Sequence, residues 1–337
     1  MAVTATVRVM SPEEIAAKAG GETPFLQAPQ RSTLFAERAM RLRQLARGHA
    51  MEDFLNFMAD LAQAQHDELA RMPDVPLPDA DALDRAARLG VPPLPASEWP
   101  RHAAWQAVLR SLVAEMQSRA PSGAQHTLKH LADCPADWLE RQADCLLTGV
   151  MKGLDLGSAP IIAAALQVYW SHMVSSVLQR PEDGRGQPFG RIDDETACPC
   201  CGSRPVASLT RNSGDLLGQR YLHCSLCSMQ WHMLRIKCTH CLSTKSIAYQ
   251  SLDVAEPEGD ASSRAAAAVV QAETCDDCGH YLKIMHTDRD PFVEPVADDL
   301  ATLTLDLLVS DTGLKRHGIN LMLLFGEPEP PPGQGAR

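Results

Sequence analysis

The apolar residues in the first half of the chain recur every three or four positions, as they do along one face of a helix. Between Ala50 and Arg71 such a stripe contains Phe54, Phe57, Met58, Leu61 and Ala62. Similar stripes, separated by prolines and glycines, predict helices over residues 34–47, 50–71, 82–89, 100–119, 125–132 and 159–178, and a helix that begins at Pro135. The pattern therefore indicates a helical domain over residues 33–180, packed as a bundle of six or seven helices.

One stretch of this domain is apolar enough to be compared with a membrane span. From Leu156 to Gln179 there are 24 residues without a formal charge. Gln167, His172 and four serines interrupt the stretch, whereas a membrane span is more uniformly apolar. We therefore predict a buried helix and no membrane insertion.

The pattern changes after residues 181–190, which are rich in turn-forming and charged residues and mark a domain boundary. Beyond them, short β-prone runs alternate with turns that contain cysteine. The predicted fold class is α+β, with an all-α N-terminal domain followed by two small metal-binding modules. We also predict a flexible N-terminal arm over residues 1–32, a C-terminal helix within residues 291–326 that packs on the modules or the helical body, and a disordered tail over residues 327–337.

Eight of the eleven cysteines form four Cys-x-x-Cys pairs. Two such pairs supply the four sulfurs of a closed tetrahedral metal site. Pairing them in sequence order gives two sites, which we call site 1 (Cys198, Cys201, Cys224 and Cys227) and site 2 (Cys238, Cys241, Cys275 and Cys278). Each site repeats the order turn, hairpin, turn and strand. This repeat predicts two tandem rubredoxin-like or zinc-ribbon-like modules, over residues 191–237 and 238–290.

The residue that follows each pair bears on the geometry of its turn. Gly202 and Gly279 follow two of the pairs and can adopt the positive φ that such a turn needs. Ser228 and Leu242 stand at the same place in the other two. At these two positions we expect either a strained φ or a different turn.

Other potential ligands lie close to the pairs. Cys200, inside the first pair, could replace Cys201, but the two-residue spacing and Gly202 favour Cys201. Because each site already has four thiolates, we expect the nearby histidines to lie around the sites or on the surface: His223, His232, His240 and His280. Cys134 and Cys145 belong to no pair and are interpreted as buried thiols.

Charge and composition exclude several classes of function. A formal charge of −11 disfavours nucleic-acid binding, which depends on basic residues. The first residues have neither an apolar secretory core nor a twin arginine, so we expect a cytoplasmic protein whose cysteines bind metal or act as redox thiols. The sequence has no Gly-rich phosphate loop, HExxH or GxSxG motif, which favours a non-enzyme.

The two modules differ in charge. Residues 190–245 contain seven basic and four acidic residues, whereas residues 246–300 contain three basic and twelve acidic residues. These charges form either ordinary solvated faces or two surfaces of opposite sign that orient a protein partner.

Five stretches resemble the formate dehydrogenase accessory protein FdhE family: CPCCGSRPVASL, RYLHCSLCSMQWHMLRIKCTHC, ETCDDCGHYLKIM, PVADDLATLTLDLL and APIIAAALQVYW. The order and spacing of the four cysteine pairs match, and the resemblance runs from about residue 25 to residue 326. It implies a cytoplasmic protein required for active respiratory formate dehydrogenase, which binds the catalytic subunit before twin-arginine export. It also implies two metal ions, with iron favoured and zinc as the alternative.

Two other functions stay open on the sequence alone. One is a rubredoxin-like electron-transfer or redox protein, since iron in four thiolates can change by one electron. The other is a nucleic-acid-binding zinc ribbon, which the negative charge disfavours. Whether the chain forms a homodimer is also left open.

Overall fold

The structure, a computed structural model, describes residues 23–180, 187–213, 216–252 and 268–324. Seven helices lie in the described part of the first half: α1 Leu34–Ala46, α2 Glu52–Arg71, α3 Ala80–Leu89, α4 Ala104–Gln117, α5 Ser122–Asp133, α6 Ala136–Thr148 and α7 Ala159–Leu178. The predicted helical N-terminal region is thus confirmed. Cys134 is buried as predicted, but Cys145 is half-exposed, so the prediction was wrong for that thiol.

Local sequence signals explain several of the helix ends. The Asp79 carboxylate accepts a hydrogen bond from the Ala82 amide at 2.8 Å and caps the start of α3. Gly90 and Gly149, at φ of 63° and 70°, end α3 and α6 in the left-handed conformation that glycine adopts without strain. Pro121 and Pro135 directly precede α5 and α6.

Helix α7 forms the centre of the helical region. By length and composition α7 could cross a membrane, but 89% of its most apolar window is buried inside the protein. This confirms the prediction of a buried helix. Within it, Gln167 is also buried. Its side-chain oxygen accepts a hydrogen bond from Gln65 of α2, and its side-chain nitrogen donates to the carbonyl of Ser225, next to Cys224. Gln167, one of the polar residues that interrupt the apolar stretch, therefore connects α7 to neighbouring elements.

The second half contains most of the strands: β2 Pro205–Ser213, β3 Leu216–Cys224, β4 Gln230–His232, β5 Ile247–Gln250, β6 Val270–Cys275, β7 His280–His286 and β8 Lys315–Arg316. With β1, Leu26–Gln27, they form one sheet within the described residues, in the order β1-β4-β3-β2-β7-β6-β5, with β8 beside β7. Neighbouring strands are antiparallel except that β2–β7 and β7–β8 are parallel. The two modules are therefore halves of one continuous sheet, joined where Ser208 lies opposite Ile284.

The segment before α1 is attached to this sheet. The predicted flexible arm is wrong for residues 23–32. Residues 1–22 lie outside the described residues. Leu26 pairs with Trp231 as an antiparallel strand, and the Tyr221 hydroxyl donates to the carbonyl of Pro24 at 2.8 Å. Strand β1 covers the open edge of β4, whose backbone groups need partners.

The C-terminal segment contains two short helices, α8 Pro295–Ala301 and α9 Leu303–Asp311, where the sequence predicted one. Helix α8 packs against α1, and its start is fixed by Glu294, which caps Ala297 and pairs with the buried Arg38 at 3.0 Å. The predicted tail over residues 327–337 lies outside the described residues.

A basic residue of one module and an acidic residue of the other meet inside the molecule. Arg220 of the basic half and Glu273 of the acidic half are both buried and form an ion pair of 2.5 Å. Asp298 and Asp299 are buried as well. The interpretation of two surfaces of opposite sign is therefore wrong for these residues, because their charges are neutralised within the fold.

Candidate metal centres

The first turns of the two sites have the same backbone hydrogen bonds. In site 1 the Gly202 amide donates to the Cys198 carbonyl at 2.8 Å, and in site 2 the Leu242 amide donates to the Cys238 carbonyl at 3.1 Å. The second turn of site 2 also has this bond, from Gly279 to Cys275 at 2.9 Å. The internal repeat predicted from the sequence thus extends to the backbone of the turns.

All four turns place a residue with positive φ after the second cysteine. The angles are 75° at Gly202 and 68° at Gly279, and 60° at Ser228 and 61° at Leu242. Of the two outcomes expected at the non-glycine positions, the structure shows the strained φ. A side chain in this conformation costs roughly 1–2 kcal/mol, so the turn geometry is retained against an unfavourable local preference.

These turns bring the thiols of each predicted quartet together. In site 1 the Sγ atoms of Cys198 and Cys227 are 3.5 Å apart, and those of Cys201 and Cys224 are 3.4 Å apart.

In site 2 the corresponding distances are 3.7 Å between Cys238 and Cys278 and 3.8 Å between Cys241 and Cys275. A tetrahedral ion with metal–sulfur bonds of about 2.3 Å separates its sulfurs by about 3.8 Å. Both quartets therefore fit one metal ion each.

Amide hydrogen bonds support one sulfur in each site. The amides of Leu226 and Cys227 both point to the Cys224 sulfur at 3.4 Å. In site 2 the amides of His240 and Cys241 point to the Cys238 sulfur at 3.4 and 3.5 Å. Such bonds stabilise the negative charge of a thiolate and tune the properties of a bound metal.

The electrostatics of site 1 also fit a cation. Burial raises the pKa of the Cys224 and Cys227 thiols. Burial acts in the same direction on Cys198, but hydrogen bonds from four surrounding thiols hold its pKa well below the ordinary value. A bound divalent cation would stabilise the thiols of this site in ionised form.

Site 1 lies where the sheet meets the helical region. All four of its thiols are buried. The loop before α4 lies against its first turn, because the amides of Leu94 and Ala96 donate to the carbonyls of Cys200 and Cys201 at 3.0 and 2.8 Å. At the second turn, Gln167 of α7 donates to the Ser225 carbonyl at 2.7 Å. No local sequence pattern encodes the contact of the first turn with Leu94 and Ala96, which lie about 100 positions upstream in the chain.

Site 2 lies at the far half of the sheet and is more accessible. Cys238 and Cys275 are buried, whereas Cys278 is half-buried and Cys241 is exposed. The pKa of Cys241 is lowered: burial opposes the shift, but a backbone hydrogen bond at Ser243 and the neighbouring thiols outweigh it. Site 2 therefore offers a solvent-accessible thiol with a lowered pKa, whereas all four thiols of site 1 are buried.

Cys200 is buried beside site 1 but outside the quartet. Its thiol contacts those of Cys198 and Cys227, and burial raises its pKa well above the ordinary value. Cys201, by contrast, lies within hydrogen-bonding distance of both Cys224 and Cys227. The structure thus favours Cys201 over Cys200 as the ligand, in agreement with the spacing.

The predicted histidines fall into two groups. His223 and His232 lie on the sheet near site 1, and burial is the main cause of the lowered pKa of both. His240 and His280 lie together beside site 2, with their rings stacked at 3.8 Å. His317, which sequence reasoning missed, lies 5.0 Å from His240. No local pattern could have placed it there, because it reaches site 2 through the pairing of β8 with β7.

The fold and the two quartets define a class of protein with a helical domain and a sheet domain that contains two candidate tetrathiolate metal centres. Models of three family domains match the chain: FdhE, N-terminal, over residues 23–183, the FdhE central domain over residues 197–235, and the FdhE C-terminal domain over residues 236–323.

Individual relatives match over nearly the whole chain. A Protein FdhE homolog of Serratia proteamaculans is 39% identical over 95% of this chain and 99% of its own length. Another of Edwardsiella ictaluri is 37% identical over 96% of this chain and 100% of its own. The crystal structure of the FdhE protein from Pseudomonas aeruginosa superposes with a TM-score of 0.78, at 36% identity, over 90% of this chain and 100% of that one. The chain belongs to the FdhE family.

Proposed function

We propose that this protein is a cytoplasmic, non-catalytic accessory protein required for active respiratory formate dehydrogenase. In this proposal it binds the catalytic subunit before that subunit is exported by the twin-arginine route. The observation that carries the proposal is membership of the FdhE family over almost the full chain, including both cysteine quartets. The helical region and the sheet then serve as a binding body, and the metal sites hold its second half together.

We further propose that each quartet binds one metal ion, with iron favoured and zinc as the alternative. The supporting observations are the Sγ separations of 3.4–3.8 Å and the amide hydrogen bonds to sulfur. Bound iron would supply a one-electron Fe(III)/Fe(II) couple, whereas bound zinc would supply a structural crosslink. Elemental analysis of protein purified without oxygen distinguishes the two metals.

The accessory function is tested by deleting the gene in the source organism. Formate dehydrogenase activity should fall without a matching fall in the transcripts of its subunits, and a plasmid copy of this chain should restore it. A tagged copy should also retain the catalytic subunit when its twin-arginine transport is blocked. Normal activity in the deletion strain would contradict the proposal.

A second candidate function is one-electron transfer, and the exposure of Cys241 favours it, because an electron carrier needs a metal site close to its surface. A reversible couple in the iron-loaded protein, with transfer to an acceptor protein, would support this function. Redox-inactive metal in the protein as purified from cells would argue against it.

A further inference from the structure

Three histidines lie beside site 2 and contact one another. His240 lies inside its first turn, His280 begins β7 just after Cys278, and His317 follows β8. The rings of His240 and His280 are stacked with an interplanar angle of 13° and a centroid distance of 3.8 Å. His317 meets His240 edge-on at 5.0 Å.

Two of these histidines form a second set of potential ligands together with a cysteine of site 2. One ligand atom from each of His240, Cys278 and His280 lies within 4.8 Å of the others. A tetrahedral ion with bonds of about 2.0–2.3 Å to nitrogen and sulfur holds its ligand atoms roughly 3.3–3.8 Å apart. Because a nitrogen lone pair lies in the plane of its ring and the two rings are nearly parallel, the His240 ring must turn out of the stack to close this set around an ion.

A hydrogen bond orients His280 for coordination. Its Nδ1 lies 2.8 Å from the carbonyl oxygen of Cys278, which can only accept. Nδ1 therefore carries the hydrogen, and the lone pair of the neutral ring is on Nε2. This is the usual arrangement of a metal-binding histidine, in which the second nitrogen donates to a carbonyl or carboxylate.

The internal repeat shows how differently site 1 is built at the same positions. His240 and His280 stand two residues after the first cysteine and two residues after the last cysteine of their quartet. The equivalent residues in site 1 are Cys200 and Met229, which are both fully buried. Site 1 is covered there by the loop that contains Leu94, whereas site 2 exposes Cys241.

We propose that His240, Cys278 and His280 form an entry site for a divalent cation, through which site 2 gains and loses its metal while site 1 retains its own. Cys278 belongs to both ligand sets, so the ion stays bound to this sulfur while two nitrogens are exchanged for the other thiolates of site 2. The step is a ligand substitution without a change of oxidation state. Each thiol that binds the ion releases its proton to water.

The proposal is tested by the rate of metal release from the full chain loaded with two equivalents of Zn²⁺. A chromophoric chelator in excess should remove one zinc quickly and the other slowly. Alkylation after the fast phase, followed by peptide mapping, should modify Cys241 and Cys278 and leave the cysteines of site 1 protected. Modification of the site 1 cysteines in that phase would overturn the proposal.

The decisive comparison is between wild type and the double variant H240A/H280A. Loss of the entry site should slow the fast phase by about tenfold or more. Tenfold is the lower end of the effect that residues around a metal site have on metal affinity. If the histidines only support the fold of site 2, their removal should instead speed up release. An unchanged or faster phase therefore overturns the proposal. His126→Ala, which removes an exposed histidine of α5, is the matched control and should leave both phases unchanged.

A second measurement covers the case in which the double variant does not hold two zinc ions. In Cys241→Ser, which removes the exposed thiol, a histidine nitrogen should complete the shell, so that a second Co²⁺ still binds. Adding His280→Gln should abolish that second equivalent. Failure of Cys241→Ser to bind a second Co²⁺, or binding that survives both changes, overturns the proposal.

Discussion

The residue after each cysteine pair has a positive φ in all four cysteine turns, although two of these residues are not glycine. Gly279 has open space where a Cβ would project, so a substitution there has a conformational effect alone. Gly279→Ala should therefore lower the free energy of unfolding by about 1 kcal/mol. The thermal midpoint of the metal-loaded protein measures this loss.

The reverse substitution at Leu242 should have the opposite sign. Leu242, at φ 61°, is partly exposed and loses little packing when shortened. Leu242→Gly should raise the unfolding free energy by up to about 1 kcal/mol, because the relief of strain is partly offset by the greater freedom of glycine in the unfolded chain. A lowered midpoint in Leu242→Gly would show that its side chain packs more tightly than its exposure indicates.

The cysteines of the two sites should differ in their effect on the helical region. Cys224 belongs to the buried site that contacts α7 and the loop before α4, whereas Cys275 belongs to the accessible site. Cys224→Ser should lose one metal equivalent and lower the thermal midpoint of the helical signal in circular dichroism, because the thiolates help to fold the site. Cys275→Ser should leave that signal close to wild type, and equal shifts in the two variants would contradict this asymmetry.

Among the elements, β7, α8, α9 and β8 are joined by a buried ionic network. Lys283 of β7 is fully buried, as are the two carboxylates that it contacts, those of Asp299 on α8 and Asp306 on α9. Arg316 of β8 contacts the same carboxylates at 2.7 and 3.3 Å. This network, together with buried apolar residues such as Val296, Leu300 and Leu305, places the short C-terminal helices on the sheet.

Removal of the central cation should therefore be strongly destabilising. Lys283→Met leaves the two buried carboxylates with Arg316 as their one remaining cation in the described network and should lower the unfolding free energy by about 3–5 kcal/mol. Urea unfolding measures the change. The matched control is Arg43→Met, which breaks the exposed pair with Asp60 and should cost less than about 1 kcal/mol. Similar losses in the two variants would mean that the buried network contributes no more than a surface pair.

At the scale of the whole molecule, the helical region and the sheet share one hydrophobic core. Buried polar contacts cross between them, including Arg38 with Glu294 and Gln167 with Ser225. Site 1 lies at this junction and site 2 lies away from it. The position of each site in the fold thus explains why one is closed and the other open, although the two are built from the same repeat.

The sequence predicts local features of this molecule well and distant contacts poorly. Helix α2 and the buried helix α7 follow from periodicity and composition, and the cysteine quartets follow from spacing within a repeat. The parallel pairing of β2 with β7 brings Ser208 opposite Ile284, and no local pattern encodes such a contact. For the same reason the attachment of Leu26 to β4, the pairing of Arg220 with Glu273 and the place of His317 could not be predicted.

Stability at acidic pH depends on histidines that are buried in neutral form. Burial, together with the nearby Arg31, lowers the pKa of His172 to about 4, and burial with Arg289 lowers that of His286 to about 4. In the unfolded chain both groups have a pKa of about 6.5. Between these values the unfolded state binds protons that the folded state does not, so the free energy of unfolding falls as the pH drops from about 6.5 towards 4.

His172→Gln isolates one of these contributions. Arg31 donates a hydrogen bond to Nδ1 of His172 at 2.8 Å, and a glutamine oxygen can accept the same bond without titrating. The variant should lose less stability than wild type when urea midpoints at about pH 7.5 and pH 5 are compared. Release of bound metal by acid would be common to both proteins and would cancel in the difference. Equal losses in the two proteins would show that His172 takes up its proton without unfolding the protein.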